Sequence, residues 1–200
     1  GTGTVTGTKI AGNLIGTDGP GSTINLGNSG DAISLSDGVI KTTIGDVTGT
    51  NTIAYSNQNG VFINGAASVG NTIQNNNIRN NLGLGILLLN GANSNIASPV
   101  LTQQLSNGAG GFTYSGFVNG VANTTYTVDF YSSLISDSRS QGANYLGSTT
   151  VTTDANGMFS TNVEPGNWLV YLADVDGRAV FQKQIEVKSS ELQTMKLESR

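Results

Sequence analysis

The sequence predicts an all-β fold in which coils of a parallel β-helix, a solenoid, are followed by an antiparallel β-sandwich. Three observations predict it. Short apolar segments separated by single Asn or Gly residues recur through the first half of the 200 residues. The second half contains about six alternating segments bounded by turn residues, which is typical of a sandwich. The amino-acid composition also changes sharply near residue 98.

Repetition in the first half predicts the solenoid. The segment Asn51-Thr52-Ile53 returns as Asn71-Thr72-Ile73, 20 residues later. Gly60-Val61-Phe62-Ile63 is echoed downstream by Gly85-Ile86-Leu87-Leu88 and upstream by Asp31-Ala32-Ile33-Ser34-Leu35. A period near 20 residues is typical of stacked coils.

The clearest coil runs from Ile73 to Leu88, and its spacing Ile-x-x-Asn-x-Ile has a partial earlier copy from Ile10 to Ile15. Strand residues alternate between faces, so the Ile positions can share one interior. Asn and Gly supply the left-handed backbone that sharp corners require. We therefore expect Asn13, Asn76 and Asn81 to form a structural ladder of hydrogen-bonded turns. Helices are rejected throughout residues 1–97, because no helical apolar stripe is present.

Composition divides the chain. Residues 1–97 contain 18 of the 28 Gly and only seven charged residues, whereas residues 98–200 contain 15 charged residues, including every Glu. Pro99 restricts the residue before it, which favours a boundary there. We predict β-helix coils over residues 1–97, a β-sandwich over 98–188 and a polar C-terminal tail over 189–200.

The second half predicts antiparallel strands, several with plain alternation, joined at Asn-Gly and Asp-Gly turns. In one of them Tyr126, Val128 and Phe130 are expected to face away from Thr127, Asp129 and Tyr131. The predicted strands are Phe112–Val118, Tyr126–Tyr131, Tyr145–Thr152, Met158–Val163, Trp168–Asp174 and Val180–Val187.

Composition also excludes several functions. The formal net charge is −4 and no basic cluster is present, so a nucleic-acid partner is not expected. The chain has neither Cys nor His, which excludes disulfides, thiol catalysis and histidine ligands. No apolar run reaches the roughly 20 residues of a membrane span. We expect no membrane insertion by this segment and no cofactor, and the Gly1 start suggests a piece of a longer or processed chain.

A resemblance adds to this interpretation. The phrase Ile10-Ala-Gly-Asn-Leu-Ile-Gly-Thr-Asp18, with Leu26-Gly-Asn-Ser-Gly-Asp31 and Thr42-Thr-Ile-Gly45, resembles right-handed parallel β-helix repeats of bacterial surface and secreted proteins. The blocks Asn123–Tyr131 and Leu146–Gly157 resemble the Ig-like sandwich module that often follows such repeats. The resemblance implies an extracellular or cell-surface location and a non-catalytic structural or adhesive role. Such repeats also occur in polysaccharide lyases and glycoside hydrolases, so an enzyme fragment is the alternative.

The charged residues of the first half do not form a catalytic pattern. A glycosidase needs two carboxylates about 5 to 9.5 Å apart, and a lyase needs acids that hold Ca²⁺ beside a Lys or Arg base. The acids lie in Gly-rich segments typical of turns, and the cations lack acidic partners at coil spacing, so we predict no catalytic residue. These residues are Asp18, Asp31, Asp37 and Asp46, with the cations Lys9, Lys41 and Arg79.

Candidate sites in the second half also have structural interpretations. Asp174 and Asp176 are weak calcium candidates, because the segment lacks the further ligands of a calcium loop. A carbohydrate-binding module remains open: Tyr145, Trp168, Tyr171 and Phe181 could stack on a surface glycan, although sandwich core is the favoured role of the last three. Asn123-Thr124-Thr125 fits the glycosylation pattern and is expected to be unmodified. An isopeptide bond is not expected, since Lys183, Lys188 and Lys196 all lie at the end of the chain.

The first coil suggests self-assembly. An open coil end exposes unpaired backbone groups that template pairing with another chain. If the chain is a mature subunit, we expect a homopolymer formed by β-strand addition, growing head to tail as a filament. The expected assembly strand comprises Thr2, Thr4, Val5, Thr6 and Thr8.

Overall fold

The computed structural model describes residues 4–95, 100–106, 112–117, 122–132, 139, 141–163, 166–173 and 179–187. Over these residues the protein is essentially all-β, as the sequence predicts. The only helical turn in the described ranges is a short 3-10 segment, Ala92–Asn95, in which Asn93 and Ser94 have left-handed backbone angles. Helices were rejected for residues 1–97, and over residues 4–95, the described part of that range, the structure has no α-helix.

Nine short strands lie within residues 4–89. They are β1 (Lys9–Ile10), β2 (Leu14–Ile15), β3 (Ile33–Leu35), β4 (Thr43–Ile44), β5 (Thr52–Ala54), β6 (Val61–Asn64), β7 (Thr72–Ile73), β8 (Asn77–Arg79) and β9 (Ile86–Leu89). They form three parallel sheets of three strands, in the orders β1-β4-β7, β2-β5-β8 and β3-β6-β9. The chain therefore visits the three sheets in the same order three times. We call these visits the first, second and third pass.

Register aligns the apolar positions of successive passes. Ile10 pairs with Ile44 and Ile44 with Ile73, while Ile15, Ile53 and Ile78 align in the second sheet. The pairing of β6 with β9 places Val61 beside Ile86 and Ile63 beside Leu88, as the sequence echo predicts. Buried side chains from all three sheets form one hydrophobic cluster: Ile33, Leu35, Ile44, Ile53, Val61, Ile63, Ile73, Ile78 and Ala92.

The expected period of 20 residues was wrong. Asn51 and Asn76, which lie at the same step of successive passes, are 25 residues apart, and Asn13 and Asn51 are 38 apart. The repeated Asn-Thr-Ile segments do not stack on each other, because Thr52 begins β5 and Thr72 begins β7, which belong to different sheets. The motif marks the entry to a strand, and an entry occurs more than once in each pass.

A long connection between β2 and β3 accounts for the wide first spacing. Within this connection, the amide of Leu26 donates to the carbonyl of Gly16, which closes residues 16–26 into a loop. The connection lies against the second pass so closely that a Cβ at Gly27 would overlap the carbonyl oxygen of Tyr55. The Arg79 guanidinium, which is largely buried, donates to the Tyr55 hydroxyl and to the carbonyl of Gly19 and so holds this connection to β8.

Seven longer strands lie in the described ranges after residue 99. They are β10 (Val100–Ser106), β11 (Phe112–Phe117), β12 (Thr125–Ser132), β13 (Asn144–Thr152), β14 (Met158–Val163), β15 (Gly166–Ala173) and β16 (Ala179–Val187). They form two antiparallel sheets, ordered β10-β11-β14 and β13-β12-β15-β16. The six strands predicted from alternation are present with small shifts at their ends. Strand β10 was not predicted.

The prediction that burial alternates along β12 was only partly correct. Tyr126, Val128 and Phe130 are buried as expected, but Asp129 and Tyr131 on the opposite face are buried as well. The second face contacts the parallel sheets: Asp129 accepts a hydrogen bond from Asn75, and Tyr131 packs against Ile86. A strand that contacts neighbours on both faces loses the alternation of burial that the sequence pattern implies.

Candidate assembly surface

The outer strands of the first pass each have one unpaired edge. Strands β1, β2 and β3 stand at the ends of their sheets and pair on one side only in the described part of the chain. Such an edge offers backbone N–H and C=O groups to an incoming strand. We call the outer edge of β1, β2 and β3, with the preceding residues 4–8, the first-pass edge.

Backbone bonding shows which groups of the first-pass edge are available. Thr43 donates to the carbonyl of Thr8, and Gly45 donates to the carbonyl of Ile10, so these carbonyls face β4. Because successive residues of a strand direct their backbone groups to opposite edges, the N–H and C=O of Lys9 face outward.

The same argument applies to the residues on either side of Lys9. Thr6 lies between Val5, which accepts from Ile40, and Gly7, which donates to Ile40. The backbone groups of Thr6 therefore face outward, and those of Leu14 do so because the carbonyl of Asn13 is used by Thr52. Within the described ranges, none of these outward groups has a hydrogen-bond partner.

The predicted assembly strand is thus partly engaged inside the molecule. Val5 and Thr8 pair with the second pass, Thr6 directs its backbone outward, and Thr4 is exposed. Thr2 lies outside the described residues. The structure adds Lys9 and Leu14 to the groups that an incoming strand could contact.

The third pass has three exposed apolar side chains, at Leu82, Leu84 and Leu89, and the first pass has a comparable number. Four residues of the first pass, Val5, Leu14, Ile24 and Leu26, are between 48% and 59% exposed. Ile24 and Leu26 lie on the long connection between β2 and β3. Exposed apolar side chains beside unpaired strand edges can contribute to an interaction surface.

One strand of the third pass, β8, is covered by a later segment of the chain. We call Arg139 and residues 141–145 the cap segment. Ile78 donates its backbone N–H to the carbonyl of Gly142 at 2.7 Å, and Tyr145 donates its backbone N–H to Oδ1 of Asn77 at 2.7 Å. Gln141 is fully buried: its Oε1 accepts from both the backbone and the side chain of Asn81, and its Nε2 donates to the carbonyl of Asn81. The free edge of β8 therefore has partners that the first-pass edge lacks.

Asparagine side chains connect successive passes in columns. In the first column, Nδ2 of Asn13 donates to Oδ1 of Asn51 at 3.0 Å, and Nδ2 of Asn51 donates to Oδ1 of Asn76 at 2.8 Å. All three residues immediately precede a strand of the second sheet. Asn51 also donates to the carbonyl of Ile10. The column satisfies polar groups at a corner where Asn51 and Asn76 are buried.

Asn81 belongs to a different column from Asn13 and Asn76, so the expected single ladder is divided in two. The N–H of Ser56 donates to Oδ1 of Asn81, which in turn contacts Gln141 of the cap segment. The two columns are separate because Ser56 and Asn81 follow strands of the second sheet, whereas the residues of the first column precede them.

A third column joins Thr42, Asn71 and Asn93 through backbone-to-side-chain bonds of 3.0 Å. Sequence reasoning missed Asn51, Asn71, Asn93 and Gln141. The Asn-Thr-Ile motif was the signal for the first two.

Three of the four acidic residues of the first half accept hydrogen bonds from neighbouring groups. Asp31 accepts from the backbone and side chain of Asn59, which extends a further column. Asp37 accepts from the Ser36 hydroxyl, and Asp46 accepts from the backbone and hydroxyl of Thr48. Asp46 also pairs with Lys9, and the hydrogen bond from Lys9 lowers the pKa of the Asp46 carboxyl to about 2. Asp18 is exposed.

No group of three potential metal-ligating residues occurs in the part of the chain that the structure describes. The calcium candidates Asp174 and Asp176 lie outside it. Of the cations, Lys41 has a left-handed backbone at a corner, and Arg79 binds Tyr55 and Gly19.

Of the carbohydrate-binding candidates, Tyr145 has a described side-chain contact, and the other three are described by their backbone register. Trp168 pairs with Ile185, Tyr171 with Gln182, and Phe181 with Leu172 in the backbone register of β15 and β16. The Tyr145 ring packs edge-on against Tyr131, with centroids 5.4 Å apart. Asn123 of the glycosylation pattern is exposed and donates its backbone N–H to Asp154. Lys183 pairs with Val170, and Lys188 and Lys196 are outside the described residues.

Asp129 is the one acid with a raised pKa among the described residues. Burial raises the pKa of its carboxyl above the ordinary value, and hydrogen bonds from the Asn75 N–H and the Tyr131 hydroxyl, each 3.2 Å long, oppose that rise. Burial also raises the pKa of the nearby Tyr145 hydroxyl, and the Asp129 charge adds to that effect. The carboxyl lies where β12 meets the third pass.

No protein-family model matches this sequence, and no curated protein matches it. None of the described helices has the length and apolar character needed to cross a membrane.

Proposed function

We propose that this protein is a non-catalytic structural or adhesive module of an extracellular surface protein, and that it associates through its first-pass edge. The three passes are coils of a parallel β-helix, and the two antiparallel sheets form a sandwich that closes the third pass. The resemblance of the repeats to bacterial surface proteins supports the location. The bonding of the columns and the shared apolar core support the coil assignment.

The observation that carries the proposal is the difference between the two ends of the parallel sheets. At the third pass, the cap segment takes up backbone and side-chain groups of Asn77, Ile78 and Asn81. At the first pass, Thr6, Lys9 and Leu14 direct their backbone groups outward beside exposed apolar side chains. An end with free backbone groups and apolar surface favours strand addition.

If the 200 residues are the mature subunit, the partner we propose is a second copy of the chain, joined by its own first-pass edge. Because the cap segment occupies the outer edge of β8, a head-to-tail contact that used all three strands of the third pass would have to displace it. A pair related by a two-fold axis uses the same patch on both copies and leaves both caps in place. The expected assembly is therefore a closed dimer, and the filament anticipated from the sequence is the second outcome of the test.

Sedimentation velocity of the native chain, together with variants, tests the proposal. Leu14→Lys places a charge on the outer strand β2 and should dissociate the dimer, as edge lysines do in natural sheets. Val47→Lys is the matched control, because Val47 is also apolar and exposed but follows β4 in the second pass. A native chain that is monomeric at all accessible concentrations would contradict self-association, and binding and hydrolysis assays on polysaccharides would then test the glycan and enzyme alternatives.

A further inference from the structure

An asparagine followed by glycine can modify itself. The backbone nitrogen of Gly attacks Cγ of the Asn side chain, a new N–Cγ bond forms, and the Cγ–Nδ2 bond breaks as ammonia leaves with the proton from the Gly nitrogen. Water then opens the resulting five-membered ring at either carbonyl, giving Asp or an isoaspartyl linkage. The absence of a side chain on Gly permits the close approach. A Gly N–H that is already hydrogen-bonded is held away from this reaction.

Four Asn-Gly pairs lie in the described part of the chain, and they differ in the state of the Gly amide. Three amides are engaged: Gly60 donates to Leu84 at 2.9 Å, Gly65 to Leu89 at 3.1 Å, and Gly157 to Asp154 at 3.0 Å. The amide of Gly91, which follows Asn90, donates to no group within the described residues.

Exposure and position also distinguish Asn90. It lies in the turn after β9, is exposed, and has a left-handed φ of 53°. Asn156 is exposed too, but the backbone amides of both Asn156 and Gly157 are bound to Asp154. We propose that Asn90 is a site of spontaneous deamidation in the folded protein, and that the other described Asn-Gly pairs are protected by their hydrogen bonds.

The modification has a structural consequence at the third pass. Nδ2 of Asn90 donates to Oδ1 of Asn64 at 2.8 Å, which links the turn after β9 to the last residue of β6. A carboxylate has no proton to donate, so deamidation replaces this bond with repulsion between two acceptor oxygens. An isoaspartyl linkage would also lengthen the backbone just before Asn93, whose Oδ1 accepts from the N–H of Asn71. Deamidation should therefore loosen this corner of the third pass.

Peptide mapping by mass spectrometry tests the proposal. The full chain is incubated folded at mildly alkaline pH and, in parallel, in concentrated denaturant. In the folded chain, the Asn90 peptide should gain one mass unit and isoaspartate well before the Asn59, Asn64 and Asn156 peptides. In denaturant, the four sites should react at similar rates, since no amide is then protected.

Variants at Asn64 and Asn90 complete the test. Asn64→Ala removes the acceptor of the Asn90 side chain and should speed the reaction at Asn90, while Asn90→Gln should abolish the mass gain at this position. Equal rates at Asn90 and Asn64 in the folded chain would overturn the proposal, as would an Asn90 that reacts only in denaturant.

Discussion

The side-chain amide of Asn51 donates to Oδ1 of Asn76 at 2.8 Å, between two buried residues that occupy the same step of successive passes. Asn51 also accepts from the backbone and the side chain of Asn13 and donates to the carbonyl of Ile10. One side chain thus satisfies groups from the first and third passes. Its removal should affect all three passes together.

We expect Asn51→Ala to lower the free energy of unfolding by about 2–4 kcal/mol, because it leaves the carbonyl of Ile10 and Oδ1 of Asn76 without this donor. Urea denaturation of the folded chain measures the effect. The control is Asn57→Ala, an exposed Asn in the second pass, which should change stability by less than about 0.5 kcal/mol. Equal effects of the two substitutions would contradict a stabilising role for the column.

The cap segment supports a second prediction. Gln141→Ala removes the acceptor for the backbone and side chain of Asn81 and should cost about 1–3 kcal/mol, since these buried groups lose their partner. Hydrogen exchange should also speed up at the Ile78 amide, which donates to the neighbouring Gly142. Gln58→Ala, an exposed Gln in the second pass, is the control. Unchanged exchange at Ile78 in Gln141→Ala would show that the cap does not depend on this side chain.

The buried carboxyl of Asp129 should make the free energy of unfolding depend on pH in an unusual direction for an acid. Because burial raises its pKa in the folded state, the folded chain binds this proton more tightly than the unfolded chain does. The contribution of Asp129 to stability therefore falls as pH rises from the ordinary carboxyl pKa, about 3.9, through the raised folded value, and stays low above it. Asp129→Asn keeps an oxygen that can accept from Asn75 and Tyr131 without the buried charge.

We expect Asp129→Asn to be more stable than the native chain at pH 7, and this advantage should shrink as pH falls through the raised folded pKa to the ordinary carboxyl pKa, below which it should change no further. Thermal unfolding of both proteins over this pH range measures the difference. Asp154→Asn, at an exposed turn in the antiparallel sheets, is the comparison for loss of an acid elsewhere. A variant that is less stable than the native chain at pH 7 would mean that the ionised carboxylate makes a net favourable contribution there.

Much of the fold is predictable from local pattern. The two copies of the Ile-x-x-Asn-x-Ile spacing, which begin at Ile10 and Ile73, occupy equivalent positions in the structure. Their Ile residues lie in the same sheets and their Asn residues in the same column. This agreement arises because each position in a coil has its own side-chain requirement. The length of a pass was mispredicted, since connections such as the one between β2 and β3 vary while strand entries repeat.

Long-range contacts explain what the sequence did not reveal. Gln141 is 60 residues from Asn81, and no periodicity predicts that a segment of the antiparallel half binds the third pass. Asp129 and Tyr131 had the alternation expected of a solvent-facing side, but that side contacts Asn75 and Ile86. The first-pass edge was anticipated as open, whereas the identity of its outward groups required the hydrogen-bond register.

The central claim is that two copies associate through their first-pass edges. The most direct test is electron microscopy of the native chain at neutral pH, in which class averages show which ends of the two copies are in contact. We expect two-fold particles in which the first-pass edges of two copies meet and the cap segments remain at their third passes. Filaments in which the cap segment has been displaced, or single copies with a free first-pass edge, would contradict it.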